Sequence, residues 1–202
     1  SVLLDHEISE SSVNTLVKNK ILEEFEIVVP RFKSHEGAPA APILLTEKQE
    51  AVRNKILGGF EEKGTVLLYG VTGSGKTEIY IDLIRRALDG GSQVLYLLPE
   101  IALTTQIVER MKKVFGDEMG IYHSRFSDNE RVEVWNGVLQ GKFRFVVGVR
   151  SSIFLPFDDL GLIIVDEEHD FAFKLQEPLP RDHASDVALG MGQFHSAKVV
   201  LG

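Results

Sequence analysis

Val66-Leu67-Leu68-Tyr69-Gly70-Val71-Thr72-Gly73-Ser74-Gly75-Lys76-Thr77, followed by the helical pattern from Glu78 to Leu88, is the stretch whose reading decides the fold. It reads as a short apolar strand, a phosphate-binding loop of the form G-x-x-x-x-G-K-T, and a helix. Gly70, Gly73 and Gly75 let the backbone turn through conformations that a Cβ resists, so that successive amide N–H groups face one anion. Lys76 then reaches the β- and γ-phosphates as a point charge, and Thr77 offers its hydroxyl to Mg²⁺. The first turn of the helix adds its dipole. The same residues also permit a plain Gly-rich turn before an ordinary helix.

Working outward, the chain repeats short apolar strands and amphipathic helices, the pattern of a parallel α/β sheet. Strands are expected at 94–98, 120–123, 145–149, 162–165 and 199–201, with helices near 103–115, 128–139, 151–155 and 183–194. A doubly wound sheet would then carry the loop at the C-terminal end of its first strand, where such folds bind ligands. Upstream, a helix opens at Thr46 and passes through Val52, Ile56 and Leu57 to an expected end at Gly58-Gly59. Thr46 and Gln49 form a T-x-x-Q capping box, as Ser127 and Glu130 do later. Gln49 supports a second reading, as a reader of the adenine edge.

A second cluster completes a nucleotide site. Leu162-Ile163-Ile164-Val165 ends in Asp166-Glu167-Glu168-His169. Carboxylates at the end of a buried strand need cations or donors to face. Asp166 would hold Mg²⁺, directly or through water, and Glu167 would orient and deprotonate the attacking water. His169 is placed to link this site to DNA or to a second lobe, although a loop His is often unremarkable. Asp170-Phe171-Ala172-Phe173-Lys174-Leu175-Gln176-Glu177-Pro178-Leu179-Pro180-Arg181 follows. Its phenylalanines and cations either stack on and grip DNA bases or pack into the core. Pro99 to Thr104, His123-Ser124 and Gly148-Val149-Arg150-Ser151-Ser152 sit at expected strand ends or helix starts. There they serve either as caps or as contacts to a phosphate chain.

Composition sets bounds. The chain has 202 residues and a formal charge of -8, which argues against a uniformly basic nucleic-acid surface but leaves room for a local groove. No apolar run approaches the roughly 18 residues of a membrane span, so we expect no membrane and a cytoplasmic setting. Zero cysteines exclude disulfides and thiolate metal sites in this segment. A first residue, Ser1, other than Met leads us to expect a piece of a longer chain.

The N-terminal 31 residues carry a capped amphipathic helix (Val13, Leu16, Val17, Ile21) and then an alternating stretch from Glu24 to Val29. They read either as the tail of a winged-helix module or as a bland extension. Phe32 to Pro42, rich in Gly, Ala and Pro, reads as a linker.

Together, Gly70 to Glu78, Leu98-Pro99-Glu100-Ile101-Ala102-Leu103-Thr104, Tyr122-His123-Ser124, Gly148 to Phe154 and Asp166-Glu167-Glu168-His169-Asp170 resemble the PriA helicase family of superfamily 2. The resemblance is strong over residues 45–202 and weak over 9–31. It implies three parts: the end of a winged-helix-like DNA-binding domain (1–33), a linker (34–43) and the first RecA-like ATPase lobe (44–202), without the second lobe. It also implies an ATP- and Mg²⁺-dependent 3′ to 5′ DNA helicase of replication restart. Its partners would be forked and single-stranded DNA, primosome proteins and loaders of the replicative helicase. By this likeness Gln49 reads adenine, and Phe171, Phe173, Lys174 and Arg181 belong to a loop that senses single-stranded DNA. Zinc is expected only in the absent second-lobe part. Asp182 and Ser185 depart from the family's aromatic and arginine, which weakens the loop's grip on DNA. Two other functions fit parts of the pattern: a nucleotide-gated DNA-binding or assembly module, and a P-loop kinase or ATPase acting on a small molecule.

Overall fold

The computed structural model describes residues 44–71, 73–123, 125–167 and 184–202, together with Asn19. By internal contacts the chain divides into two units, Ser1–Phe32 and Lys33–Gly202. The fold below belongs to the second. The expected winged-helix remnant, Asn19 aside, and the linker lie outside the described residues.

Six parallel strands form one sheet: β1 (Thr65–Leu67), β2 (Gln93–Leu97), β3 (Met119–Tyr122), β4 (Phe145–Gly148), β5 (Leu160–Val165) and β6 (Lys198–Leu201), in the order β1-β6-β5-β2-β4-β3. The helices are α1 (Glu47–Lys63), α2 (Lys76–Asp89), α3 (Thr105–Phe115), α4 (Asp128–Leu139) and α5 (Ala184–His195), with 3₁₀ turns at Gly116–Glu118 and Arg150–Phe154. All-parallel strands need crossover helices, which bury both faces of the sheet. Accordingly every residue of β2 is buried. Val94, Tyr96, Phe145, Val147, Leu162, Ile164 and Val200 share a core with Ile56, Phe60, Met111, Phe115 and the buried face of α2. Leu95, Val146, Ile163 and Val199, which alternate with them, are buried as well, and α5 packs on β5 and β6. This is the α/β architecture expected from the strand and helix pattern, with boundaries shifted by one or two residues.

One boundary moves further. The helix expected to stop at Gly58-Gly59 continues through both glycines to Lys63, and ends where Gly64 adopts a left-handed φ of 71°. Packing overrides the propensity of the glycines, because Phe60 beyond them is buried in the core. At Gly59 the missing side chain is itself used, since a Cβ there would lie 2.7 Å from Val66 Cγ2 of β1. Both capping boxes are present, at Thr46/Gln49 and at Ser127/Glu130. No described helix is long and apolar enough to cross a membrane.

Candidate nucleotide site

The phosphate loop leaves β1 and enters α2 through backbone that only glycine adopts cheaply. Gly73 has φ 79° and Gly75, the N-cap of α2, has φ 88°. Gly75 is also a point of close approach, since a Cβ there would lie 2.6 Å from Gln49 Nε2. The Ser74 N–H donates to Val71 O at 3.1 Å and closes the turn. Thr72 lies outside the described residues, and Thr77, in the first turn of α2, is partly buried.

Lys76 and the two acids meet across the sheet. Its Nζ lies 3.7 Å from Asp166 Oδ1 and 3.7 Å from Glu167 Oε1, with side-chain exposures of 10%, 12% and 26% for Lys76, Asp166 and Glu167. Charges this enclosed are stable only when paired. The strand spacing achieves it: β5 delivers Asp166 at its C-terminal end, and α2 starts with Lys76. Glu167 then takes a left-handed backbone, φ 53°, uncommon for a side-chain-bearing residue, and its N–H donates to Asp166 Oδ1 at 3.1 Å. Such strain persists where the surroundings impose it and gathers at functional positions.

Two tyrosines that the sequence reading passed over also reach Asp166. The Tyr80 hydroxyl donates to Oδ1 at 3.2 Å and the Tyr96 hydroxyl to Oδ2 at 2.9 Å. Burial, then the neighbouring Asp166 charge, pushes both phenols well above their ordinary range, so they stay protonated donors. A signal existed in the sequence: Tyr96 is the one polar-tipped residue between Val94 and Leu98, and Tyr80 follows Lys76 by one helical turn.

The remaining candidates divide. Gln49 takes its place in the capping box, where Oε1 accepts from Thr46 N at 2.9 Å, while Nε2 donates to Gly75 O at 3.3 Å in the loop. Thr104 caps α3, accepting from Ile107 N at 3.4 Å. His123 Nδ1 accepts from Arg125 N at 3.0 Å. Arg150 begins its 3₁₀ turn partly buried. Ser152 is turned inward, fully buried, and donates to Val149 O at 2.6 Å, so it serves the turn and is not available to a phosphate chain. Ser124, Glu168, His169, Phe171, Phe173, Lys174 and Arg181 lie outside the described residues.

Glu78, in the first turn of α2, is held by Arg110 of α3. Burial pushes its carboxyl up, but the hydrogen bond from Arg110, a backbone hydrogen bond and the Arg110 charge together outweigh that and leave it below the ordinary value of 4.5.

The donor set suits a nucleoside triphosphate and a hard divalent cation. The loop turns through left-handed glycines at Gly73 and Gly75, Lys76 provides a cation beside it, and Thr77 and Asp166 carry oxygens.

Residues 46–198 match the DEAD/DEAH box helicase family. The chain is 40% identical over 198 residues to the replication restart protein PriA of Bacillus subtilis (strain 168), covering 96% of this chain and 24% of that protein. To PriA of Chlamydia trachomatis serovar D it is 41% identical over 201 residues, covering 97% of this chain and 27% of that one. It thus spans about a quarter of the length of these relatives. Among solved structures, RecG bound to a three-way DNA junction aligns with a TM-score of 0.58 at 22% identity, over 80% of this chain and 21% of that one. The Hef helicase domain of Pyrococcus furiosus aligns at 0.53 and 20% identity, over 77% of this chain and 31% of that one. These structural likenesses bear on the fold, which is that of a RecA-like lobe. With the loop, the acids and the sheet order in agreement, the chain belongs to the DEAD/DEAH box helicase family of superfamily 2, and its relatives there are the PriA proteins.

Proposed function

We propose that this chain is the first ATPase lobe of a PriA-type replication-restart helicase, an enzyme that couples ATP hydrolysis to 3′ to 5′ unwinding of DNA at forks. The observation that carries it is Lys76 held 3.7 Å from both Asp166 and Glu167 at the mouth of a glycine-lined loop. In this reading Gly70 to Thr77 hold the phosphates, Lys76 countering their charge, while Thr77 and Asp166 hold Mg²⁺. Bound Mg²⁺ supplies charge neutralisation on the phosphates. Glu167 orients the attacking water and takes its proton. Gln49, already bonded to the loop, is the adenine reader.

The finer parts of the proposal rest on the resemblance to the PriA family. Residues 1–33 would end a winged-helix-like DNA-binding domain, 34–43 would link it, and 44–202 would form the lobe. The larger part of the protein would bring a second lobe and its zinc-binding cysteines. Forked and single-stranded DNA, primosome proteins and helicase loaders would be the partners, in the cytoplasm. Arg150, His169, Phe171, Phe173, Lys174 and Arg181 are proposed to touch DNA or couple it to hydrolysis.

Glu167→Gln in the intact protein tests the central claim. It should keep Mg²⁺-ATP bound with hydrolysis down about 10²-fold or more, the scale of general-base loss. Normal fork unwinding by Glu167→Gln would remove Glu167 from the role.

A further inference from the structure

Asp166 is fixed by more than its place at the end of β5. Three elements send a donor to its carboxylate: Tyr80 from α2 and the Glu167 N–H to Oδ1, and Tyr96 from β2 to Oδ2. A carboxylate has about four acceptor directions, two per oxygen. Among the described residues Oδ1 is therefore filled by its two donors, with Lys76 Nζ also 3.7 Å from it, and Oδ2 has one direction left. The tyrosines are not explained by core filling. Both are fully buried, with ring centroids 5.7 Å apart, and phenylalanine would fill the same space without a hydroxyl to satisfy.

We propose that Tyr80 and Tyr96 are positioning residues for ATP hydrolysis: together they bracket the Asp166 carboxylate so that one acceptor direction of Oδ2 faces the nucleotide's cation. The proposal rests on the nucleotide-site reading above. Tyr80 sits in the helix that begins with Lys76, so α2 reaches Asp166 both through the Tyr80 hydroxyl and through Lys76 Nζ, 3.7 Å from Oδ1. The bracket also touches the end of β6, because a Cβ at Gly202 would overlap the Tyr80 hydroxyl and come within 3.6 Å of Asp166 Oδ1. The residue after the last strand is thereby in register with the position of Asp166.

The test uses Tyr80→Phe, Tyr96→Phe and the double variant of the intact protein, titrated with Mg²⁺ at a fixed concentration of a fluorescent ATP analogue, and again in EDTA. Each single variant should raise the half-saturating Mg²⁺ concentration by about 10-fold, the lower end of what loss of an outer-shell partner costs. Affinity in EDTA should not move, and a urea midpoint confirms that each variant is folded. A folded Tyr96→Phe with wild-type Mg²⁺ dependence would overturn the bracket, as would an equal loss of affinity with and without Mg²⁺. Should Tyr80→Phe fail to fold, Tyr96→Phe decides alone. If the wild-type protein itself showed no Mg²⁺-dependent nucleotide binding, the nucleotide-site reading would fall, which is a separate result.

Discussion

Gly75 carries two constraints at once, a left-handed φ of 88° and the approach of Gln49 Nε2. The first costs any other residue roughly 1–2 kcal/mol. Gly75→Ala should therefore lower stability by about that amount or more, read as a urea midpoint, and weaken nucleotide binding. In a Gln49→Ala background the penalty should shrink without vanishing, since only the steric part is relieved. An unchanged penalty would show that Gln49 swings aside at no cost. At this scale the glycines, Lys76, Asp166 and Glu167 were legible because each has a fixed chemical role at a fixed spacing. Tyr80 and Tyr96 were not, because their partner lies on another strand and a buried strand reads as apolar whatever its hydroxyls bond. Nor was the backbone of Glu167, since nothing local in Val165-Asp166-Glu167 demands φ 53°.

Among the elements, α1 shows where local reading fails and packing decides. A Cβ at Gly58 meets nothing within 4 Å, whereas one at Gly59 meets Val66. Gly58→Ala should stabilise the protein by roughly 0.5–1 kcal/mol, the cost of glycine within a helix. Gly59→Ala should gain nothing or lose stability. Equal gains in thermal melts would mean that β1 yields freely. Capping boxes, by contrast, were fully readable, because the cap and its partner lie three residues apart and need no tertiary information.

The Glu78–Arg110 pair ties α2 to α3 and has a definite pH signature. Glu78 is depressed in the folded state, so the pair's stabilisation is present above the ordinary 4.5 and is lost as pH falls through the lower folded value. Arg110 is 42% exposed on its side chain and Glu78 27%, which keeps the pair within the range of about 0.2–1 kcal/mol typical of exposed ion pairs. Arg110→Ala should cost that much at pH 7. In strongly acidic buffer the variant and wild type should unfold alike. A difference that persisted there would assign the contribution to packing of the arginine stem.

For the whole molecule, binding at the loop should be visible as global stability, since a ligand that binds only the folded state stabilises it by mass action. At 100 times Kd this amounts to about 2.7 kcal/mol, or about 5–10 °C in Tm for a chain of this size. Lys76→Ala should show no such shift with Mg²⁺-ATP.

The strand order carries a consequence for the order in which this site comes into being. β1, which holds the phosphate loop, lies at the sheet edge and pairs with β6, as Thr65 with Val199 and Leu67 with Leu201. β5, which holds Asp166, flanks β6 on its other side. During synthesis the β1 segment precedes its neighbour β6 by more than a hundred residues, whereas α2 can already pack on β2 and β5. The pairing of β1 with β6 is among the longest-range of the described sheet and should form late. A chain stopped after His195 keeps Lys76, Thr77, Asp166 and Glu167, yet in equilibrium titration it should bind no ATP. Of the described strands, β1 should therefore be the one that gains its neighbour latest, and the base of the phosphate loop the part of the site that is anchored last.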